Sequence, residues 1–95
     1  MKIIVAYDIS DNGVRESIAR FLMRKGLARI QRSLFVGRGS GQVVKDIIRY
    51  CEKLIDTNTD CVHIFILNDY EYLQARVIGK PWGESREIVS SIEII

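Results

Sequence analysis

The stretch Ile3-Ile4-Val5-Ala6-Tyr7-Asp8, followed by Ser10-Asp11-Asn12-Gly13, decides how this chain is read. Its first part is apolar and β-branched, which specifies a short strand closed by a carboxylate. The second part supplies turn and helix-cap chemistry. The strand is apolar on both parities, Ile3, Val5 and Tyr7 on one side and Ile4 and Ala6 on the other. A strand of that kind has no face suited to water, so both sides require cover.

Downstream of this turn, Val14, Ile18, Phe21 and Leu22 recur at helical spacing, and Gly26 follows Arg24-Lys25 as a C-terminal stop. From Leu27 to Gly37, Ala28, Ile30, Leu34 and Val36 share one parity, and Arg29, Gln31 and Ser33 the other. That alternation predicts one bent strand or two short ones. Gly37-Arg38-Gly39-Ser40-Gly41 lacks the lysine and helix context of a phosphate loop and is read as a flexible linker. Val44, Ile47, Ile48, Cys51, Leu54 and Ile55 mark a second amphipathic helix, ended by Thr57-Asn58-Thr59. Cys61 to Leu67 is apolar apart from His63 and is expected to be a strand buried on both faces. Beyond Asn68 the pattern weakens. Strand character returns at Ala75 to Gly79 and at Ile88 to Ile95, on either side of Pro81-Trp82-Gly83.

This order predicts an α+β, ferredoxin-like βαββαβ sandwich with both helices on one face of an antiparallel sheet and an extra C-terminal strand. Residues 1–95 form a single domain on this reading, with 80–95 as a tail or strand packing on a partner subunit. The bare sheet face is expected to be covered by a second copy, giving a homodimer joined through that face. A monomer with a folded-back tail is the alternative.

Composition sets the limits. With 95 residues the chain supports one hydrophobic core, and 47% hydrophobic with 27% charged residues is a globular balance rather than a disordered one. No apolar run approaches the ~18 residues of a membrane span, so a cytoplasmic protein with no membrane partner is expected. Cys51 and Cys61 lack metal-site spacing and are read as buried thiols. The net charge of +2 argues little, but its distribution is uneven. Between Val14 and Arg38 the bases are Arg15, Arg20, Arg24, Lys25, Arg29, Arg32 and Arg38, against the single acid Glu16. Arginine predominates, and its planar fork suits phosphate; a solvated helix face is the plainer reading.

Asp8 is the candidate for chemistry, since a rigid strand end holds it while it reaches solvent. Its plainer role is to join Ser10 and Asp11 in turn and cap bonding. Magnesium keeps several waters and needs only one or two carboxylates when substrate phosphate completes its shell. A two-fold axis close to Asp8 would supply the second carboxylate. His63, inside an apolar strand, is read as a hydrogen-bonded core residue, and Tyr70, Tyr72 and Trp82 as packing residues.

Tyr7-Asp8-Ile9-Ser10-Asp11, then Arg15, then Arg29-Ile30-Gln31-Arg32-Ser33-Leu34-Phe35, resembles the CRISPR-associated endonuclease 2 family. The resemblance covers nearly the whole chain, with its sharpest motifs between Tyr7 and Phe35. It implies a ferredoxin-fold homodimer in which Asp8 of each subunit is catalytic and both bind one shared Mg2+, cleaving RNA or DNA phosphodiesters. It further implies that Tyr7, Arg15, Arg29, Ser33 and Phe35 lie near the nucleic-acid cleft, with Arg15 and Arg29 on phosphates. Many relatives carry a second arginine two positions after the first on helix one, where this chain has Ser17. The family also acts as a duplex-binding bridge with the CRISPR integrase subunit in spacer acquisition, a role that needs no cleavage. A related toxin-type ribonuclease and a metabolite-binding regulatory domain are further alternatives.

Overall fold

The computed structural model describes residues 1–82 and the backbone of Glu93 and Ile94. In chain order the elements are β1 (Lys2–Asp8), α1 (Asn12–Arg24), β2 (Ala28–Gln31), β3 (Leu34–Arg38), α2 (Gly41–Leu54), β4 (Cys61–Leu67), a helical turn α3 (Asp69–Tyr72), β5 (Arg76–Val77) and β6 (Glu93–Ile94). The first six make the ferredoxin-like unit: a four-stranded antiparallel sheet of order β2-β3-β1-β4.

Local chemistry accounts for the helix ends. The Asp11 side chain accepts from the Val14 N–H at 2.8 Å, capping α1. At the other end Gly26, at φ 93°, lets its N–H reach the Met23 carbonyl and that of Leu27 the Leu22 carbonyl. That pair of bonds closes the last turn as a Schellman motif, the stop expected at Gly26. Ser40 caps α2 through the Val43 N–H. Asn68 and Glu71 form a reciprocal capping box on α3. The Asn-x-x-Glu spacing was legible in the sequence, although the weak apolar pattern after Asn68 hid it.

Between Leu27 and Gly37 there are two strands rather than one, with a register shift between Arg29 and Gln31. Ile3, Val5, Tyr7 and Phe35 face the helices and pack with Ile18, Ala19, Leu22, Val44, Ile47 and Cys51 in the main core. Phe21 stacks on Tyr50 at 4.0 Å between the helices, and Lys25 meets Asp46 at 3.1 Å where α1 ends.

Three expectations need correction. The glycine-rich stretch is not a linker, because Gly37 lies within β3. A Cβ there would stand 2.8 Å from the Leu27 Cα and 2.9 Å from the Gly26 carbonyl oxygen. A Cβ on Gly39 would meet Ile3 at 2.6 Å. Second, β4 is an edge strand and is not buried on both faces: Phe65 is 50% and Ile66 51% exposed. His63 and Cys61 are exposed with it, so neither is a core residue; Cys51 is the buried thiol. Third, the second sheet face is not wholly bare. Tyr72, Ala75 and Val77 fold over Val36, Ile4 and Ile30 into a small second core. The tail or strand expected over 80–95 lies mostly outside the described residues. Glu93–Ile94 pairs in parallel with Arg76–Val77 of its own chain. No helix among the described residues is long and apolar enough to cross a membrane.

Candidate functional site

Strand alternation sends Ile3, Val5 and Tyr7 into the helix-side core, so the even-numbered Ile4, Ala6 and Asp8 take the opposite face. Asp8 is exposed and has no hydrogen-bond or ion-pair partner among the described residues. It is therefore not a capping residue; Asp11 performs that role. The loop that follows Asp8 is held from both sides. Buried Ile9 anchors it, and Arg15 donates to the Ile9 carbonyl at 3.0 Å and to the Asn12 side chain. From the α2–β4 turn, one Asp60 carboxylate oxygen accepts from the Ser10 N–H at 3.1 Å and hydroxyl at 3.0 Å. The other accepts from the Asp56 N–H at 3.0 Å. The N–H groups of Asp56 and Ser10 hold the Asp60 carboxyl below the usual carboxylate range.

Beside this loop is a depression of about 190 Å³. Asn12, Arg15 and Glu16 of α1 line one wall, and Arg29, Arg32 and Ser33 of the β2–β3 hairpin the other, with Trp82 at the rim. Arg29 is its most structured member. Its Nε donates to the Arg32 carbonyl at 2.9 Å, and a terminal nitrogen lies 3.6 Å from the Glu16 carboxylate. Its guanidinium sits between two rings, 5.5 Å from the Phe35 centroid and 5.2 Å from that of Trp82. Arg32 also lies 5.8 Å from the Trp82 ring. Trp82 is tied down by its backbone N–H, which donates to the Ile30 carbonyl at 2.8 Å.

Of the residues singled out in the sequence, Arg15, Arg29 and Ser33 are brought together in this depression. Tyr7 and Phe35 are not on its surface. Both are buried in the core, stacked on each other at 6.1 Å, because odd parity in β1 and β3 points toward the helices. In the single chain they lie beneath the depression, and the Phe35 ring lies against the Arg29 guanidinium. Burial pushes the Tyr7 hydroxyl above its ordinary pKa, and it has no hydrogen-bond partner among the described residues. Sequence reasoning missed Arg32, Glu16 and Trp82 as site members. The clustering of arginine signalled the first, but Trp82 returns from a position 50 residues further along, which no local pattern records.

The donor set at Asp8 is one hard oxygen ligand per chain. Among the described residues no three His, Cys, Asp or Glu side chains converge to hold a metal. The fit to magnesium is that of an incomplete site, which a second carboxylate and phosphate oxygens would complete.

Comparison with known proteins bears on the family and the fold. The family described as CRISPR associated protein Cas2 matches residues 1–75. A CRISPR-associated endoribonuclease Cas2 of Thermofilum pendens is 35% identical over 90 residues, 95% of this chain and 92% of that protein. A Cas1/Cas2 endonuclease fusion of Thermoproteus tenax is 51% identical over 47 residues, 50% of this chain and 18% of the fusion. In three dimensions the chain superposes on Streptococcus pyogenes Cas2 with a TM-score of 0.74 at 21% identity, covering 83% of this chain and all of that one.

Proposed function

The chain belongs to the CRISPR-associated Cas2 family, and on that premise we propose that it is a magnesium-dependent endonuclease of CRISPR adaptation, working as a homodimer. The observation that carries this reading is Asp8, an exposed carboxylate with no partner among the described residues, at the strand end whose following loop leads into an arginine-lined depression. No described residue bonds to it, and such a placement suits a ligand.

In this reading the Asp8 carboxylates of two copies would hold one Mg2+, which when bound would supply charge neutralisation for the reacting phosphate and activation of water. The chain's own residues do the rest. Arg29, with its Nε engaged by the Arg32 carbonyl, presents its terminal nitrogens to phosphate. Glu16, at 3.6 Å, occupies that position until the stronger anion displaces it. Arg15 fixes the loop after Asp8 and offers its remaining N–H groups to the same strand. Ser33 lines the wall, and Phe35 holds Arg29 from below.

The dimer follows from the part of the open face that Tyr72, Ala75 and Val77 leave uncovered, around Ala6, Leu34 and Phe65. Exchange of the C-terminal strand between copies would keep the β5–β6 pairing in trans and pack the tail on the partner. The Thermoproteus tenax fusion of Cas1 with Cas2 supports a Cas1 partner. The depression also favours a second reading, since an arginine–tryptophan shelf grips RNA or duplex DNA without cutting and would serve a non-catalytic scaffold. No observation favours the toxin-type ribonuclease.

The test is cleavage of labelled RNA and duplex DNA by the native protein and by Asp8→Ala, with and without magnesium. Magnesium-dependent cutting by the native protein alone is expected, and equal cutting by both would overturn the assignment. Absence of cutting alongside salt-sensitive duplex binding would leave the scaffold. Sedimentation at micromolar concentration should show the dimer, and a monomer only would contradict it.

A further inference from the structure

The depression between α1 and the β2–β3 hairpin lies on the helix side of the sheet. Arg29 pairs with Phe35 across the hairpin, Phe35 belongs to the helix-side core, and Arg29 reaches Glu16 of α1. A second copy seated on the opposite, open face leaves this depression accessible to solvent.

Trp82 stands at its rim with 46% of its surface exposed, although tryptophan is highly buried on average. Its backbone bond to Ile30 anchors it to β2, an edge strand. Two guanidinium groups flank the indole, and their circumstances differ. Arg29, at 5.2 Å, is already engaged by the Arg32 carbonyl, by Glu16 and by the Phe35 ring. Arg32, at 5.8 Å, is exposed, and its guanidinium has no hydrogen bond or ion pair among the described residues.

An exposed aromatic ring beside arginines suits a nucleobase, which stacks on the ring while the cations take the phosphates on either side. Bases inside a duplex have both faces covered by their neighbours, so only an unpaired base offers one to the indole. The depression's volume of about 190 Å³ is below the ~300–1,000 Å³ that encloses a small-molecule ligand. It therefore takes one part of a passing strand rather than a whole metabolite.

We propose that Trp82, with Arg32 beside it, forms a subsite for one unpaired nucleobase at the rim of the depression, so that a single strand is held there in preference to paired duplex. The subsite rests on the reading of Arg15 and Arg29 as phosphate contacts. Stacking engages the base alone, so RNA and DNA strands both satisfy it.

Trp82 is the only tryptophan in the chain, and its fluorescence reports on the subsite directly. The native, full-length protein is titrated with a single-stranded RNA, a single-stranded DNA, a blunt duplex, and an abasic DNA strand, with magnesium chelated so that nothing is cut. Saturable quenching by both base-bearing strands is expected, and little by the blunt duplex or the abasic strand. By anisotropy of labelled strands, Trp82→Ala should weaken single-strand binding at least about fivefold more than duplex binding. Trp82→Phe, which keeps a stacking face, should retain most of the preference. Strand binding without quenching, equal binding of the abasic strand, or an equal loss for single strand and duplex in Trp82→Ala would overturn the subsite. Magnesium-dependent cleavage is measured separately, and its persistence alongside any of these results would leave the reading of Asp8 standing. Quenching by single strands without cleavage would overturn that reading and uphold the subsite.

Discussion

The backbone N–H of Tyr7 donates to the carbonyl of Ser33 at 3.1 Å. This bond joins the last turn of the β1 pleat, one residue before Asp8, to the hairpin that carries Arg29, Arg32 and Ser33. The carboxylate and the arginines are therefore parts of one rigid end of the sheet rather than features of separate loops.

Asp60 secures the other side of that end. Its carboxyl sits below its unfolded value of about 3.9, so it contributes stability that is present above that pH and is lost as pH falls through the folded value. Asp60→Asn should be less stable than the native protein at neutral pH, and the gap should close below about pH 4. Urea midpoints of both proteins at pH 7 and pH 3 measure it. A gap independent of pH would contradict the assignment.

Phe35 separates support from contact. Its ring is fully buried beneath Arg29, so Phe35→Ala should destabilise the fold by about 3–5 kcal/mol and Phe35→Leu by less than about 1.5 kcal/mol. The folded Phe35→Leu protein should bind duplex DNA within about tenfold of native, a change under about 1.4 kcal/mol. A larger loss of binding with stability intact would mean that the ring touches nucleic acid.

Trp82 and Arg29 should differ in their salt dependence. Trp82→Ala removes the ring flanking Arg29 and Arg32 at 5.2 and 5.8 Å, contacts that contribute about 0.5–1 kcal/mol each. Duplex affinity should weaken with the slope against salt unchanged, because no charge is lost. Arg29→Ala should reduce the magnitude of that slope by about one. Equal slopes in the two variants would remove Arg29 from the phosphate contacts.

Gly37 and Gly41 make a matched pair. A methyl group on Gly37 meets backbone atoms at 2.8 and 2.9 Å, and Gly37→Ala should cost about 1–3 kcal/mol. Gly41, at the start of α2, has nothing within 4 Å, and Gly41→Ala should be neutral or stabilising by up to about 1 kcal/mol. Denaturant midpoints decide both, and a stabilised Gly37→Ala would show that the hairpin can move away from α1.

The sequence by itself determined the element order, the cap at Asp11 and stop at Gly26, the apolar faces of α1 and α2 and the family, because each depends on neighbours a few residues apart. It also brought Asp8, Arg15, Arg29 and Ser33 forward as candidates. Only the tertiary structure decided which parity of β1 and β3 met the helices, since both are apolar. That choice buried Tyr7 and Phe35 and turned Asp8 outward. Strand order likewise decided that β4 is an edge, exposing Cys61 and His63, because a run of apolar residues looks the same whether one neighbour or two will cover it. The place of Trp82 over Arg29 depends on chain closure across some fifty residues, a distance over which local physical chemistry carries no signal.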